Sequence, residues 1–519
     1  MPNRSADALF QLVKSLEKSE KRNFRLYVTR NTDTEDLKII QLFDVLDKMN
    51  SYDEKQLLQK AKSISKQQLS NIKSNLYKEI LSSLRLIKDD DNIDIQLHEQ
   101  MDHARILYNK GLHLQSLHTL DKMKKLAAAH HQLTYLVQIL FFEKKIESLY
   151  ITRSIENRAD ELIQEVKHAT RTLNSISILS NLALKLYSWY IKHGHARTEQ
   201  DDAAITRIFN EGLPADVTLC NSFYEKLYLY QSYCWYAFIR QQFLMYYRYT
   251  QKWVDLFTTE PMMIEVETSH YIKGMHNLMG AHFDLRNYKK LEATLQQFEK
   301  FATRDVVLKN ENNVIQTFVY LYTSKINKHF LDGTFTEGLA LVPKIEARLK
   351  EYELYLDRHR VLVFYYKIAS LYFGSGDNGR AIDYLNKIIN WKVDLRTDLQ
   401  CYSRLLHLIA QYELGNFELM EYLSKSVYRF MARLENLSKV EEAMFAFLRR
   451  SFRVGAHALK PEFEKLLAEL KKYEMNPLES RAFAYLDVIS WLESKINGVH
   501  VQDVIQEKFR TIKGKQAMG

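Results

Sequence analysis

Residues that break regular structure are scarce in this chain. There are 15 Gly and 6 Pro in 519 residues, about 4%, where an average globular composition gives roughly 12%. These two residue types supply most tight turns, positive-φ positions and bulges. The shortage excludes a turn-rich sandwich, barrel or propeller, and equally a collagenous or Pro-rich disordered chain. Hydrophobic residues make up 46%, enough for a core, so the pattern points to helix. Single cores stop growing near ~250–300 residues, so a chain of this length folds as several domains or as an array of repeats.

Helical periodicity and caps divide the sequence into a module over 1–88, an array over 92–497 and a short helix with a basic flexible tail over 498–519. In the first module Leu9, Leu12, Val13 and Leu16 form one apolar stripe, and Leu37, Ile40, Leu42, Phe43 and Leu46 another. Ser51-Tyr52-Asp53-Glu54 and Ser65-Lys66-Gln67-Gln68 have capping-box spacing, and each opens a helix. The second of these helices carries Leu69, Ile72, Leu76, Tyr77, Ile80, Leu84 and Ile87. Asp89-Asp90-Asp91-Asn92 then breaks the pattern and offers caps for the next helix.

Glycines set the register of the array. With Gly111, Gly333, Gly376 and Gly415 as anchors, the residues three positions earlier are Tyr108, Phe330, Phe373 and Tyr412, all aromatic. Twelve positions later stand Met123, Ile345, Ile388 and Val427, all apolar; five positions later stand Ser116, Gly338, Ala381 and Met420. A helix hairpin needs this set: Gly caps the first helix, a small residue lets the backbones approach, and bulky residues fill the seam. Weaker units are placed around Gln241 and Arg286. Pro343 falls within a second helix and should kink it or delay its start, whereas Pro461 and Pro477 are expected to open helices.

The run from Tyr372 through Gly376-Asp377-Asn378-Gly379-Arg380 to Ala381, with Ala369 before it and Leu385 and Ile388 after, resembles a tetratricopeptide repeat. Leu414-Gly415-Asn416-Phe417-Glu418 and the segment Ala104 to Met123 are similar to the same unit. The resemblance implies an all-α fold of antiparallel helix hairpins stacked into a TPR-like right-handed superhelix, preceded by a small helical bundle. Gly376 follows Gly333 by 43 residues and Gly415 follows Gly376 by 39, against about 34 for the family, and a HEAT-like solenoid, with repeats of about 40–47, is the alternative. The resemblance further implies a concave groove that holds a protein or peptide. Its groove positions fall on His98, Arg105, Tyr320, Asn327, Val363, Tyr366 and Tyr402. The family's Lys/Asn clamp for a terminal carboxylate is replaced by Met101, Thr323, Tyr366 and Leu405, so an internal segment fits better than a chain end.

Charge is uneven. The whole chain is +9, and residues 1–88 hold 17 basic and 11 acidic side chains, a net of +6. Lys55 to Lys88 contains eight basic residues and one acid, Glu79. One reading is a solvated helix face. The other is a helix-turn-helix with Leu58, Ile64, Leu69 and Ile72 as its core, presenting Lys66, Lys73 and Lys78 to a phosphate backbone. The second reading makes the protein a ligand-responsive regulator whose basic module binds nucleic acid or another regulator.

No catalytic, cofactor or metal site is expected. Gly374 to Gly379 fits G-x-G-x-x-G, but the preceding segment is helical and not the strand that dinucleotide binding needs. The 17 histidines show no metal-ligand spacing and read as exposed or capping residues. No nucleophile sits in a recognisable signature. Three widely spaced cysteines, Cys220, Cys234 and Cys401, read as buried thiols of a reducing compartment. With no signal-peptide core and no apolar stretch of membrane-spanning length, the expectation is a cytoplasmic, non-enzymatic protein with no membrane partner. The 14 aromatics between Phe223 and Phe257 are either core, as helical spacing favours, or a ligand surface.

Overall fold

The structure, a computed structural model, describes residues 7–29, 34–86, 92–150, 157–391, 397–433, 438–451, 456–474, 476, 479, 483 and 486–517. Among them there are helices and turns and no strand, and no helix is long and apolar enough to cross a membrane. The chain divides into two compact units, residues 1–99 and 100–519.

The first unit contains α1 (Ala8–Ser15), α2 (Lys18–Val28), α3 (Thr34–Lys48), α4 (Glu54–Lys60) and α5 (Lys66–Arg85). Phe24, Leu42, Phe43, Leu46, Leu57, Leu76 and Ile80 fill its core. The capping box at Ser65 forms as expected, with Gln68 reaching back to the cap. The cap of α4 is Asp53 instead of Ser51, because its carboxylate accepts from Lys55 N at 2.8 Å and Gln56 N at 3.3 Å. Leu57 is fully buried and Leu58 is partly buried against the same core. Asn92 caps the next helix by accepting from Asp94 N at 3.0 Å. Residues 87–91, with Ile87 and the acidic run, lie outside the described residues, as does Pro477.

α6 (Ile93–Asn109) leads into the second unit, followed by α7 (His113–Ala129), α8 (Leu133–Leu149), α9 (Arg158–His193) and α10 (Glu199–Gly212). The helices from there on come in pairs. α11 (Phe223–Ile239) pairs with α12 (Phe243–Thr259) and α13 (Thr268–Asp284) with α14 (Tyr288–Phe301), while α15 (Glu311–Asp332) packs on the single helical turn Phe335–Gly338 that leads into α16 (Val342–Glu351). α17 (Arg358–Ser375) pairs with α18 (Asn378–Ile389), and α19 (Thr397–Glu413) with α20 (Phe417–Arg433). The last pairs are α21 (Lys439–Ser451) with α22 (Ala456–Leu470) and α23 (Val488–Asn497) with α24 (Val501–Ala517). Each pair packs on the next, α12 on α13, α13 on α15 and α18 on α19, as in a helical solenoid. One continuous core runs from Phe223 to Ile505.

The turns explain the register. Gly111, Gly333, Gly376 and Gly415 all have positive φ, between 73° and 90°. In the middle of the chain the same left-handed position is held by His131, Gln241 and Arg286, at φ 55°, 56° and 52°. After each, the next residue donates back to a carbonyl five positions earlier: Leu112 to Leu107 at 3.0 Å, Gln242 to Ala237 at 2.9 Å, Asn287 to His282 at 2.8 Å, Asp377 to Tyr372 at 2.9 Å. This is the 6→1 bond of a Schellman cap, which satisfies a carbonyl left open at the helix end. The aromatic offset also persists, at Phe238 and Phe283, and the seam offset gives Trp253 and Phe298, both fully buried.

Pro343 does delay its helix. The segment after Gly333 forms one helical turn (Phe335–Gly338), a 3₁₀ turn (Leu339–Leu341) and then α16, with Pro343 in its first turn, where no intrahelical N–H bond is lost. Pro461 lies inside α22, since that helix begins at Ala456, upstream of the expected start. The short helix expected after residue 498 runs over Val501–Ala517 and so extends into the segment from Lys508 that was expected to be a flexible tail; Ile505 is buried and the Phe509 ring meets Tyr288 at 4.7 Å. All three cysteines are free and buried. The 14 aromatics of 223–257 are buried or half-buried without exception; Tyr233 stacks on Tyr249 at 4.0 Å and Phe209 on Tyr236 at 4.0 Å. His195 is also buried, its Nδ1–H donating to the Phe238 carbonyl at 2.8 Å, where an exposed or capping histidine was expected.

A non-glycine residue in the left-handed region carries strain of about 1–2 kcal/mol. Arg286→Gly is therefore expected to raise stability by roughly 0.5–1 kcal/mol after the added unfolded-state entropy, and Gly376→Ala to lower it by about 1 kcal/mol. Chemical denaturation of both variants beside the parent chain checks the two signs together.

Candidate functional site

Three successive first helices carry a stripe of half-buried polar residues at helical spacing. On α13 these are Lys273, His276 and Asp284; on α15, Asn327 beside the buried Tyr320 and half-buried Phe330; on α17, Arg360, Lys367 and Ser370. The stripe is continuous in space. His276 stacks on Tyr320 with ring centroids 4.0 Å apart and planes at 13°. Lys273 Nζ lies 5.2 Å from the Tyr320 ring and 5.7 Å from Trp235 of α11. Lys367 Nζ donates to Asn327 Oδ1 at 2.5 Å and sits 5.4 Å from the Phe330 ring.

Protein packed around the stripe shifts its titrations. Burial pulls Lys367 down to about 8, against the opposing pull of Asp284. Burial pushes Asp284 up to about 7, against the opposing pull of Lys367. His276 is held well below the usual histidine range by burial and then by the positive charges of Lys273, Lys367 and Arg360. Lys273 and Lys367 make no ion pair among the described residues, and His276 Nδ1 has no hydrogen-bond partner there. The stripe thus presents two ammonium groups outside any ion pair, a neutral imidazole with an open ring nitrogen, aromatic rings, and the carboxyl of Asp284, which attracts Lys367. Chemically it suits an anionic group followed by apolar or aromatic contacts.

The sequence-derived positions are distributed unevenly over this surface. Asn327 lies half-buried in the stripe, and Tyr320, 8% exposed, is packed beneath it with His276 stacked on its ring. Tyr366, 6% exposed, and Tyr402, 1% exposed, are packed in the core; a fully enclosed ring such as Tyr402 offers a partner no surface. Val363 is half-buried in the stripe's register. His98 and Arg105 stand exposed on α6, where Arg105 approaches Asp102 at 4.0 Å. Sequence reasoning missed Lys273, His276, Asp284 and Lys367. Lys273 precedes Arg286 by thirteen residues, the offset that separates Tyr320 from Gly333 and Val363 from Gly376, so the repeat register reaches it once Arg286 is taken as a turn residue.

In the first unit, Lys66 and Lys78 are exposed, but Lys73 points into the module. Its ammonium pairs with the Asp7 carboxylate, bonds Tyr52 Oη at 3.0 Å and lies 4.7 Å from the Tyr52 ring. Burial works against its charge, and the bonds to Asp7 and Tyr52 outweigh that, so its pKa is raised. Lys73 ties α5 to α1, whose first turn Asp7 caps; this occupies the ammonium that the helix-turn-helix reading gave to a phosphate.

No group of His, Cys, Asp and Glu capable of holding a metal ion occurs among the described residues. Comparison with protein-family models, with curated proteins and with solved structures finds no match to this chain.

Lys73→Met leaves the Asp7 carboxylate unpaired and is expected to cost about 1–2 kcal/mol in the first unit. Asp7→Asn should cost a similar amount, and the two together less than their sum. Hydrogen exchange over residues 7–86 in the two single variants and the double variant measures this coupling.

Proposed function

We propose that this chain is a non-enzymatic scaffold of TPR-like helix hairpins that binds a protein or peptide segment along its first helices, and that the segment it prefers is acidic. The observation that carries this reading is the stripe of Lys273, His276, Tyr320, Asn327 and Lys367, in which two lysines that form no ion pair among the described residues, one on α13 and one on α17, stand beside the Tyr320 and Phe330 rings of α15. Repeat arrays present such surfaces because each unit contributes equivalent positions to one face. An extended peptide follows that face naturally, placing a carboxylate near Lys367 or Lys273 and an apolar residue against Phe330 or Trp235.

The titrations fix a pH dependence. Asp284, raised to about 7, is protonated and uncharged below that pH, and Lys367, lowered to about 8, loses its charge above it. Lowering the pH therefore makes the stripe more positive at both groups, and an acidic ligand holds Lys367 in its charged form. Affinity for an acidic peptide is expected to rise as pH falls from 9 to 6, with proton uptake on binding near pH 8.

Selection of the full chain against a random twelve-residue peptide library tests the reading. Enriched peptides should be rich in Asp and Glu, and Lys273→Gln with Lys367→Gln should weaken them by roughly tenfold or more. Neutral or basic winners, or winners indifferent to the two substitutions, count against the proposal.

A further inference from the structure

A second feature lies away from the stripe, where α24 returns against the turn side of the hairpins. Gln506 Nε2 donates to the Gly333 carbonyl at 3.2 Å, and Thr336 Oγ1 donates to Gln502 Oε1 at 2.9 Å. The approach is close: a Cβ on Gly333 would lie 2.7 Å from the Gln506 backbone nitrogen, so only glycine lets the helix in. Further along, α24 and the start of α14 diverge and leave a pocket of about 310 Å³. This is within the size range of small-molecule sites.

The pocket has an apolar body and a cationic rim. Leu331, Ile505 and Ile512 line it together with Tyr288 and Phe509, whose rings meet edge-on at 4.7 Å. Arg286, Lys289, Lys508 and Lys513 stand around them, with Glu292 as the one acid in the lining. Two of these charges are already answered: Glu292 pairs with Lys328 at 2.9 Å, and Lys508 with Glu493 at 2.6 Å. Arg286, Lys289 and Lys513 have no ion-pair partner among the described residues. Three cations without an ion-pair partner thus rim an aromatic and aliphatic cavity, Lys513 lying over the Tyr288 and Phe509 rings at 5.9 and 5.7 Å. Their combined positive potential favours an anion at the mouth of the cavity.

We propose that this pocket binds a small amphipathic anion, an apolar and preferably flat body bearing one carboxylate or phosphate, and that the bound ligand clips α24 onto the hairpin turns. The body inserts between Tyr288, Phe509 and Ile512, and the head meets Arg286, Lys289 and Lys513. Because the ligand touches both α14 and α24, binding energy passes directly into the docking of α24. The proposal is independent of the acidic-peptide reading, since the two surfaces share no residue.

Calorimetric titration of the full chain with 1-naphthoate and with 1-naphthyl phosphate tests it, and the pair distinguishes the two head groups. The controls are 1-naphthol, which lacks charge, and 1-naphthylmethylamine, which carries the opposite one. At least one anion should bind saturably at one site, roughly tenfold tighter than naphthol, and the amine should not bind. Arg286→Glu with Lys289→Glu should weaken the anion by roughly tenfold and leave naphthol unchanged, since both side chains are exposed and their removal leaves the core intact. Phe509→Leu should weaken anion and naphthol alike, and saturating anion should slow hydrogen exchange in residues 501–513. Absence of saturable binding by both anions, naphthol binding as tightly as they do, or anion affinity indifferent to the charge reversal overturns the proposal.

Discussion

The helices that end at Gly111, His131, Gln241, Arg286, Gly333, Gly376 and Gly415 each stop on a residue in the left-handed region whose successor donates to a carbonyl five residues back, and the repeat register of the second unit depends on that bond. It stops the helix at a defined residue and aims the chain back along the helix it has just left. The paired helix then begins at once, as at Asp377, whose side chain accepts from Arg380 N at 3.1 Å. With the turn fixed, the residues at set offsets from it become the seam, and Met123, Trp253, Phe298, Ile345 and Ile388 are buried for this common reason. The long core from Phe223 to Ile505 is this local event repeated.

The turn constraint also places the polar stripe. A first helix in a stack has one face on its own partner and another on the next pair; a third remains partly accessible, and Lys273, His276, Asp284, Asn327 and Lys367 occupy it. Their perturbed titrations follow from position. Enough protein surrounds Lys367 and Asp284 to disfavour both charges, and their mutual attraction only partly offsets that cost. Such groups sit at a concentration of chemical potential that the solvated ion pairs on the outer helices, such as Lys425 with Glu421, do not share. The lysine of the first unit shows the contrary case: Lys73 is partly buried, but Asp7 and Tyr52 answer its charge, and it serves packing.

Much of this was legible in the chain. The four anchoring glycines, the aromatic three residues before each, and the delayed helix after Pro343 could all be read without coordinates, because each rests on local backbone chemistry. Tyr320 and Asn327 were reached through the repeat register. Lys273 and Lys367 were not, because the turn at Arg286 lacks glycine and because the importance of Lys367 lies in what surrounds it. Tyr366 and Tyr402 carried the right spacing, yet both are buried in the core. Helical period names a face but leaves open which neighbour that face meets. The short helix after 498 was legible, but its length was not, because the sparse apolar residues beyond Lys508 do not signal packing until Leu331 and Tyr288 are known to line the same pocket.

The sequence by itself determined that the chain is helical, where its hairpins turn and which residues fill their seams, because helix termination and capping act over four or five residues and leave their mark in composition. Tertiary structure decided which charged side chains are brought together, the partly enclosed Lys367 with Asp284, and Arg286, Lys289 and Lys513 around one pocket. It also decided which aromatics are enclosed and that the last helix returns to the turns of earlier repeats. These outcomes depend on distances between segments far apart in the chain, where electrostatics and desolvation act through space, and no local signal in the residues records them.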